Sequence, residues 1–191
     1  VPVCLCGGSA EPISDAEKQL PANLCPLIKS TYGYHLQGSN PFLEMADLVV
    51  GETTCDGKKK MFELTGRTRP MYSLELPQKE KDPDALAQWT RELRKFRSFL
   101  EHQFDSAITD EALRDAIQSL NRERALRRRL AETMTTDRPR LTGRQLLDFK
   151  SLISCIPADL EQYERALTLY GNGGTANQAA PRARVLLTGV P

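Results

Sequence analysis

An α/β fold is predicted for this chain, and three observations predict it. The run Ala46-Asp47-Leu48-Val49-Val50-Gly51 carries an apolar, β-branched stretch at Leu48-Val49-Val50, as in a parallel strand buried on both faces. A helical stretch, Asp56 to Leu64, follows and stops at Gly66, after which Met71 to Pro77 has strand character. Two strands with a helix between them make a βαβ unit, right-handed by default. From Asp82 onward apolar residues recur at helical spacing instead. The predicted layout is therefore a βαβ core, a largely helical insertion, a linker and a new strand.

Taken in order, Val1 to Leu5 reads as a buried strand ending in Gly7-Gly8-Ser9. Pro12 to Leu20 reads as a short helix with Ser14 or Asp15 near its start and Pro21 after it. Leu24, Leu27 and Ile28 have helical spacing, which predicts a helix opening near Pro26. Thr53 or Thr54 is placed to cap the helix that starts at Asp56. Asp82 and Pro83 form an N-cap and first-turn pair for the next helix. Its stripe is Leu86, Trp89, Leu93, Phe96 and Leu100. A second long helix is expected from Asp110 to Glu132, carrying Leu113, Ile117 and Leu120. Thr142 and Gln145 make a capping box for a third, and Pro157 opens a fourth that ends at Gly171. Gly171 to Pro181 has linker composition, and Arg184 to Pro191 reads as a further strand. The expected division is residues 1–171 as one α/β domain with its helical segment, 172–183 as linker, and 184–191 as the start of a second domain. No internal repeat is evident.

The 191 residues suffice for one ordinary domain or for one domain and the start of another. Twenty-six basic and 25 acidic residues give a net charge of +1, so neither nucleic acid nor an anionic membrane is expected as partner. No apolar run is long enough to span a bilayer. The opening Val1-Pro2-Val3-Cys4-Leu5-Cys6 is too short, and lacks the basic region, for a signal peptide. With no initiator Met and a strand-like end, both termini are expected to lie inside a longer protein. Five cysteines, an odd number without a secretory signal, favour a reducing, cytoplasmic compartment over a disulfide scaffold. Four of them fall within the first 55 residues, and that clustering raises the expectation of metal chemistry.

Cys55 stands where the predicted parallel strand hands over to a helix, the edge at which α/β sheets bind ligands. The positive end of the helix dipole there favours a thiolate or an anionic iron–sulfur cluster. The alternative is a small core residue. Cys25 precedes Pro26 at a similar helix start, and Cys-Pro often closes iron–sulfur ligand sets. Cys4 and Cys6 point to one face if their segment is a strand, which fits either two ligands or two core residues; Cys6, beside the glycines, is the stronger ligand candidate. Cys155, in Leu152-Ile153-Ser154-Cys155-Ile156, is expected in a helical core. A zinc site is disfavoured, because His35 and His102 are the sole histidines and no Cys-x-x-Cys occurs. His102 is expected to be solvated, and His35 has only its nearness to Cys25 to recommend it. No nucleophile elbow, Walker loop or His-Glu-x-x-His is present. Lys58-Lys59-Lys60 reads as a solvated face, or as an attractor of a cofactor phosphate or an acidic partner, and Arg122 to Arg129 as an exposed face or subunit contact.

Two stretches carry a family resemblance: Asn23-Leu-Cys-Pro-Leu-Ile-Lys-Ser-Thr-Tyr-Gly33 and Asp47-Leu-Val-Val-Gly-Glu-Thr-Thr-Cys-Asp-Gly-Lys-Lys-Lys-Met-Phe-Glu63. They resemble the two cysteine motifs of the 2-hydroxyacyl-CoA dehydratase and benzoyl-CoA reductase family. The second motif is similar to that of its putative-dehydratase and double-cubane-cluster branch. The resemblance is specific over roughly residues 1–75, rests on layout alone thereafter, and covers an amino-terminal half.

This resemblance implies a subunit of two flavodoxin-like, three-layer α/β domains holding a 4Fe–4S cluster or a double-cubane cluster. Cys25 and Cys55 would each give a thiolate, with Cys6 as a third candidate and a further cysteine from the second domain. It also implies an ATP-dependent iron–sulfur activator, a second dehydratase-type subunit or homodimer, and an acyl-CoA thioester substrate. On this resemblance the activator's electron would reach the thioester through the cluster, and the ketyl radical formed would eliminate hydroxide, or an aromatic ring would be reduced. The rival readings are a double-cubane reductase of other small molecules and a non-catalytic α/β scaffold.

Overall fold

The computed structural model describes residues 2–5, 7–79, 81–136, 139–149, 153 and 155–171. The predicted linker and the strand at 184–191 lie outside them. The chain forms two compact units, one of Cys4–Thr109 and one that joins Val1–Val3 to the chain from Asp110.

In the first unit, α1 (Ile13–Ala16) is a single turn, so most of the expected helix to Leu20 is a run of turns. α2 (Pro26–Gln37) starts on Pro26, whose fixed φ suits the first turn and whose missing N–H costs nothing there. It ends in a Schellman turn at Gly38, which has φ 59°, with amides of Gly38 and Ser39 on the carbonyls of His35 and Tyr34. Asn40 caps the short α3 (Pro41–Glu44) through Phe42 and Leu43 N–H.

β1 (Val49–Glu52) and β2 (Met71–Leu74) pair in parallel, Val49 opposite Met71 and Glu52 opposite Leu74, with α4 (Asp56–Thr65) between them in sequence. The predicted βαβ unit is thus present in a helix-rich unit, compatible with an α/β class. Gly51 turns its face to the Phe62 ring of α4, so close that a Cβ would collide with it. Tyr72, on the opposite face, packs on Phe96 and Phe99 of α5 (Ala85–Gln103), at ring-centre distances of 4.9 and 4.7 Å. Among the described residues the sheet has two strands, and a larger flavodoxin-like sheet is not seen.

Several expectations are corrected. β1 begins at Val49, not Ala46, and is not buried on both faces: Val50 remains 43% exposed, because α5 covers β2 at Tyr72. Thr53 and Thr54 do not cap α4; Cys55 is its N-cap, while Thr53 Oγ1 accepts Leu76 N–H at 3.0 Å. Asp82 and Pro83 open a turn two residues before α5, with Asp82 accepting Asp84 N–H. Leu86 and Leu93 of the predicted stripe are exposed, and the covered face is turned toward Glu92, Phe96 and Phe99. In place of a strand over Val1 to Leu5, Val3 makes an isolated antiparallel bridge with Ile153, inside the second unit.

That second unit contains α6 (Asp110–Glu132), a 3₁₀ turn (Thr133–Thr135), α7 (Gly143–Asp148) and α8 (Pro157–Tyr170). The capping box of Thr142 and Gln145 is present, as predicted. Leu126 and Leu130 of α6 pack with Leu141, Tyr163 and Ala166. Leu113 and Ile117, nearer the start of α6, are exposed. The arginine run is only partly a solvated face. Arg122 pairs with Glu164, and Arg127 pairs with the buried Glu123 while lying over the Tyr163 ring. Cys155 is not in a helical core. It precedes α8 with φ 61°, a left-handed conformation that costs a non-glycine residue about 1–2 kcal/mol. Its N–H donates to Glu123 Oε2 at 2.6 Å, which offsets that strain. Burial and the Glu123 carboxylate push the Cys155 thiol pKa up.

Candidate metal centre

Cys25 and Cys55 occupy the same structural position. Each is the N-cap of a helix, Cys25 of α2 with φ −49° and ψ 127°, Cys55 of α4 with φ −136° and ψ 129°. Neither thiol caps its helix, so the first-turn amides receive no acceptor from the cysteine side chain. The positive ends of both helix dipoles therefore stand beside the thiols.

The two helix starts adjoin. α2 and α4 pack together, and a Cβ on Gly57 would lie 2.7 Å from Leu24 Cδ1 and 3.0 Å from Ile28 Cδ1. Gly57 follows Cys55 by two residues, and Leu24 immediately precedes Cys25. Cys55 and Leu24 both rest on the cluster formed by Ala16, Leu20, Ile28 and Tyr32 with α4. Both cysteines are free thiols, Cys25 exposed and Cys55 partly so. The sequence reading missed Gly57. Its signal was a glycine in the second position of a helix, where a larger residue would ordinarily serve.

The remaining predicted positions divide clearly. Cys4 is a free, exposed cysteine. Cys6 lies outside the described residues. His35 is no ligand: it sits in the last turn of α2, about 15 Å along the helix from Cys25. Both of its ring nitrogens are engaged, Nδ1 accepting from Arg69 Nε at 3.3 Å and Nε2 meeting Thr68 Oγ1 at 3.0 Å. Burial and the Arg69 charge hold its pKa below the usual value. His102 is exposed in the last turn of α5. Among the described residues no three His, Cys, Asp or Glu side chains converge as a metal site. The structure thus places two free thiols at the starts of two packed helices.

Around Cys55 the loop is tightly held. Glu52 Oε2 accepts Thr54 N–H at 2.8 Å, and its other oxygen pairs with Lys58 in the first turn of α4. Burial opposes ionisation of Glu52, but the bonds from Lys58 and Thr54 hold its pKa below the ordinary value. Lys59 pairs with Asp56 and Lys60 with Glu63, so all three lysines are spent within the helix and its flank. Beyond Thr54 a groove of about 580 Å³ opens, lined by Leu76, Pro77, Gln78, Leu86 and Trp89. Among the described residues no charged side chain lines it.

The whole chain, residues 1–191, matches the family described as 2-hydroxyglutaryl-CoA dehydratase, D-component. The chain belongs to this dehydratase D-component family. A related sequence is "Putative dehydratase subunit YjiM" of Escherichia coli (strain K12), 38% identical over 205 residues. That match takes in all of this chain and 51% of the relative, so the D-component chain described here spans about half the length of the curated relative it matches. No described helix of this family member is long and apolar enough to cross a membrane.

Proposed function

We propose that this chain is the cluster-bearing part of a 2-hydroxyacyl-CoA dehydratase-like lyase, with Cys25 and Cys55 as two of the thiolate ligands of a 4Fe–4S cluster. The observation that carries the reading is the placement of both cysteines as N-caps of two helices whose first turns pack against each other. Two uncapped helix starts supply a field that suits an anionic cluster. Cys6 is the third ligand candidate within the chain. When bound, the cluster supplies one-electron transfer at low potential to the thioester substrate.

The chain's own residues do the rest of the work assigned here. Glu52 and Lys58 fix the loop that presents Cys55, and the Leu76, Pro77 and Trp89 groove receives the apolar part of an acyl-CoA. The βαβ unit begins a flavodoxin-like three-layer domain in the complete protein. An ATP-dependent activator, a second dehydratase-type subunit and a cytoplasmic setting complete the reading.

Iron and acid-labile sulfide per subunit, measured on anaerobically prepared full-length protein, test it. Iron near four, lost in both Cys25→Ala and Cys55→Ala, is the expected result. Iron near eight, lowered also by Cys6→Ala, would move the assignment to a double-cubane reductase. No iron in any form would remove the mechanism and leave a non-catalytic scaffold.

A further inference from the structure

Five consecutive residues of α2 grip the segment that precedes it. Lys29 Nζ donates to Glu17 Oε1 and to the Ala22 carbonyl, both at 2.6 Å. Ser30 Oγ donates to the Ser9 carbonyl at 2.6 Å, and Thr31 Oγ1 accepts Gly7 N–H at 2.9 Å. Tyr32 donates its hydroxyl to Gln19 Oε1 at 2.7 Å, and Gly33 lies so close to the Pro12 carbonyl that no Cβ would fit. Successive helical residues point about 100° apart, so five of them face every direction around the axis. The chain from Gly7 to Ala22 therefore wraps α2 as a collar.

Lys29 is the costly member of this set. Its side chain is 8% exposed, while its partner Glu17 is 37% exposed. Burying an ammonium carries a desolvation penalty that a half-solvated ion pair repays poorly, and an apolar residue of similar size would stabilise such a site as well or better. Stability alone is therefore a weak reason for a lysine here. Geometry gives a stronger one. The Lys29 amide donates to the Cys25 carbonyl at 3.1 Å, one turn into the helix, while its ammonium holds Ala22, three residues before Cys25. One side chain ties the loop entering Cys25 to the helix leaving it.

We infer that Lys29 is a positioning residue for Cys25, its ammonium fixing the direction in which that thiolate is presented to the cluster. The inference rests on the proposed role of Cys25. Lys29→Met keeps the length and apolar stem but removes both bonds, whereas Lys29→Arg keeps a cationic donor. Outer residues that orient metal ligands typically change metal affinity by about 10- to 100-fold. In anaerobically reconstituted full-length protein, Lys29→Met is expected to release iron to a chelator about tenfold faster or more. The spectrum of its reduced cluster in electron paramagnetic resonance is expected to change, and Lys29→Arg to restore both properties toward wild type. If circular dichroism shows Lys29→Met unfolded, Lys29→Gln, a neutral polar side chain that also removes the ammonium from the Ala22 carbonyl, is read for the same two properties. Wild-type release rates and spectrum in the folded clamp variant would overturn the inference alone. Absence of iron from the wild-type protein would overturn the functional reading and the clamp together.

Discussion

His35 shows what one side chain reveals about pH. Its Nδ1 accepts a bond from Arg69, so protonation at that nitrogen would set two donors and two positive charges against each other. Arg69 is itself anchored to Glu44 and to the Leu43 carbonyl, the Tyr32 ring lies tilted against the imidazole, and Thr68 holds the other nitrogen. Burial first and Arg69 second push the His35 pKa below its ordinary 6.5, and Glu44 opposes them weakly. A depressed pKa means that the folded state binds the proton less readily than the unfolded chain. The stabilisation is therefore complete above pH 6.5 and is lost as pH falls from there through the folded-state value. Urea midpoints measured between pH 7.5 and 5.5 should fall for wild type and stay flatter for His35→Gln. Parallel slopes for the two proteins would refute this role.

At the scale of elements, Glu123 joins α6 to the chain that enters α8. Its side chain is 5% exposed, it pairs with Arg127 Nη2 at 2.5 Å, and it accepts the Cys155 amide. Glu123→Ala should cost about 1–3 kcal/mol, the usual penalty of stranding a buried donor. Arg127 keeps 37% exposure overall, but its Nη2 beside Glu123 is buried, which puts the loss toward the upper end of that range. Glu123→Gln, which keeps an acceptor for the amide, should recover much of that stability; denaturant unfolding of both variants checks the order, and equal midpoints would sink the assignment. This tie also explains what was legible. The Thr142–Gln145 box and the start of α8 at Pro157 depend on four neighbouring residues, and both stand where the sequence places them. Cys155 looked like a core helix residue because Leu152, Ile153 and Ile156 surround it in sequence. What bends it to φ 61° is a carboxylate 32 positions away, which no local pattern encodes. Val50 is similar: a β-branched run predicts a strand, but whether both faces are covered depends on where α5 lies.

Across the molecule the same limit governs the site. Cys25 and Cys55 stood out from their motifs and their helix starts, whereas the contact that joins those starts, Gly57 against Leu24 and Ile28, is a tertiary fact. So is the collar around α2, where Lys29, Ser30 and Thr31 bond to Ala22, Ser9 and Gly7, 7 to 24 positions away in sequence. A cubane cluster takes four thiolate-type ligands, and on the proposed reading the two helix starts supply two of them. The chain also spans about half of its curated relative. On the proposed reading the missing ligands come chiefly from the rest of the protein, and this predicts a difference between two preparations. The 191-residue chain, shown to be folded by circular dichroism and reconstituted anaerobically, should lose iron to a chelator at least about tenfold faster than full-length protein. Equal retention, with about four irons per chain in both, would place the remaining ligands within these 191 residues. Cys4→Ala and Cys6→Ala would then be the decisive variants, because they are the other cysteines of the clustered first 55 residues. Rapid loss from the short chain alone would instead assign the closing ligands to sequence beyond it, and make cluster assembly the step that couples the two halves of the subunit.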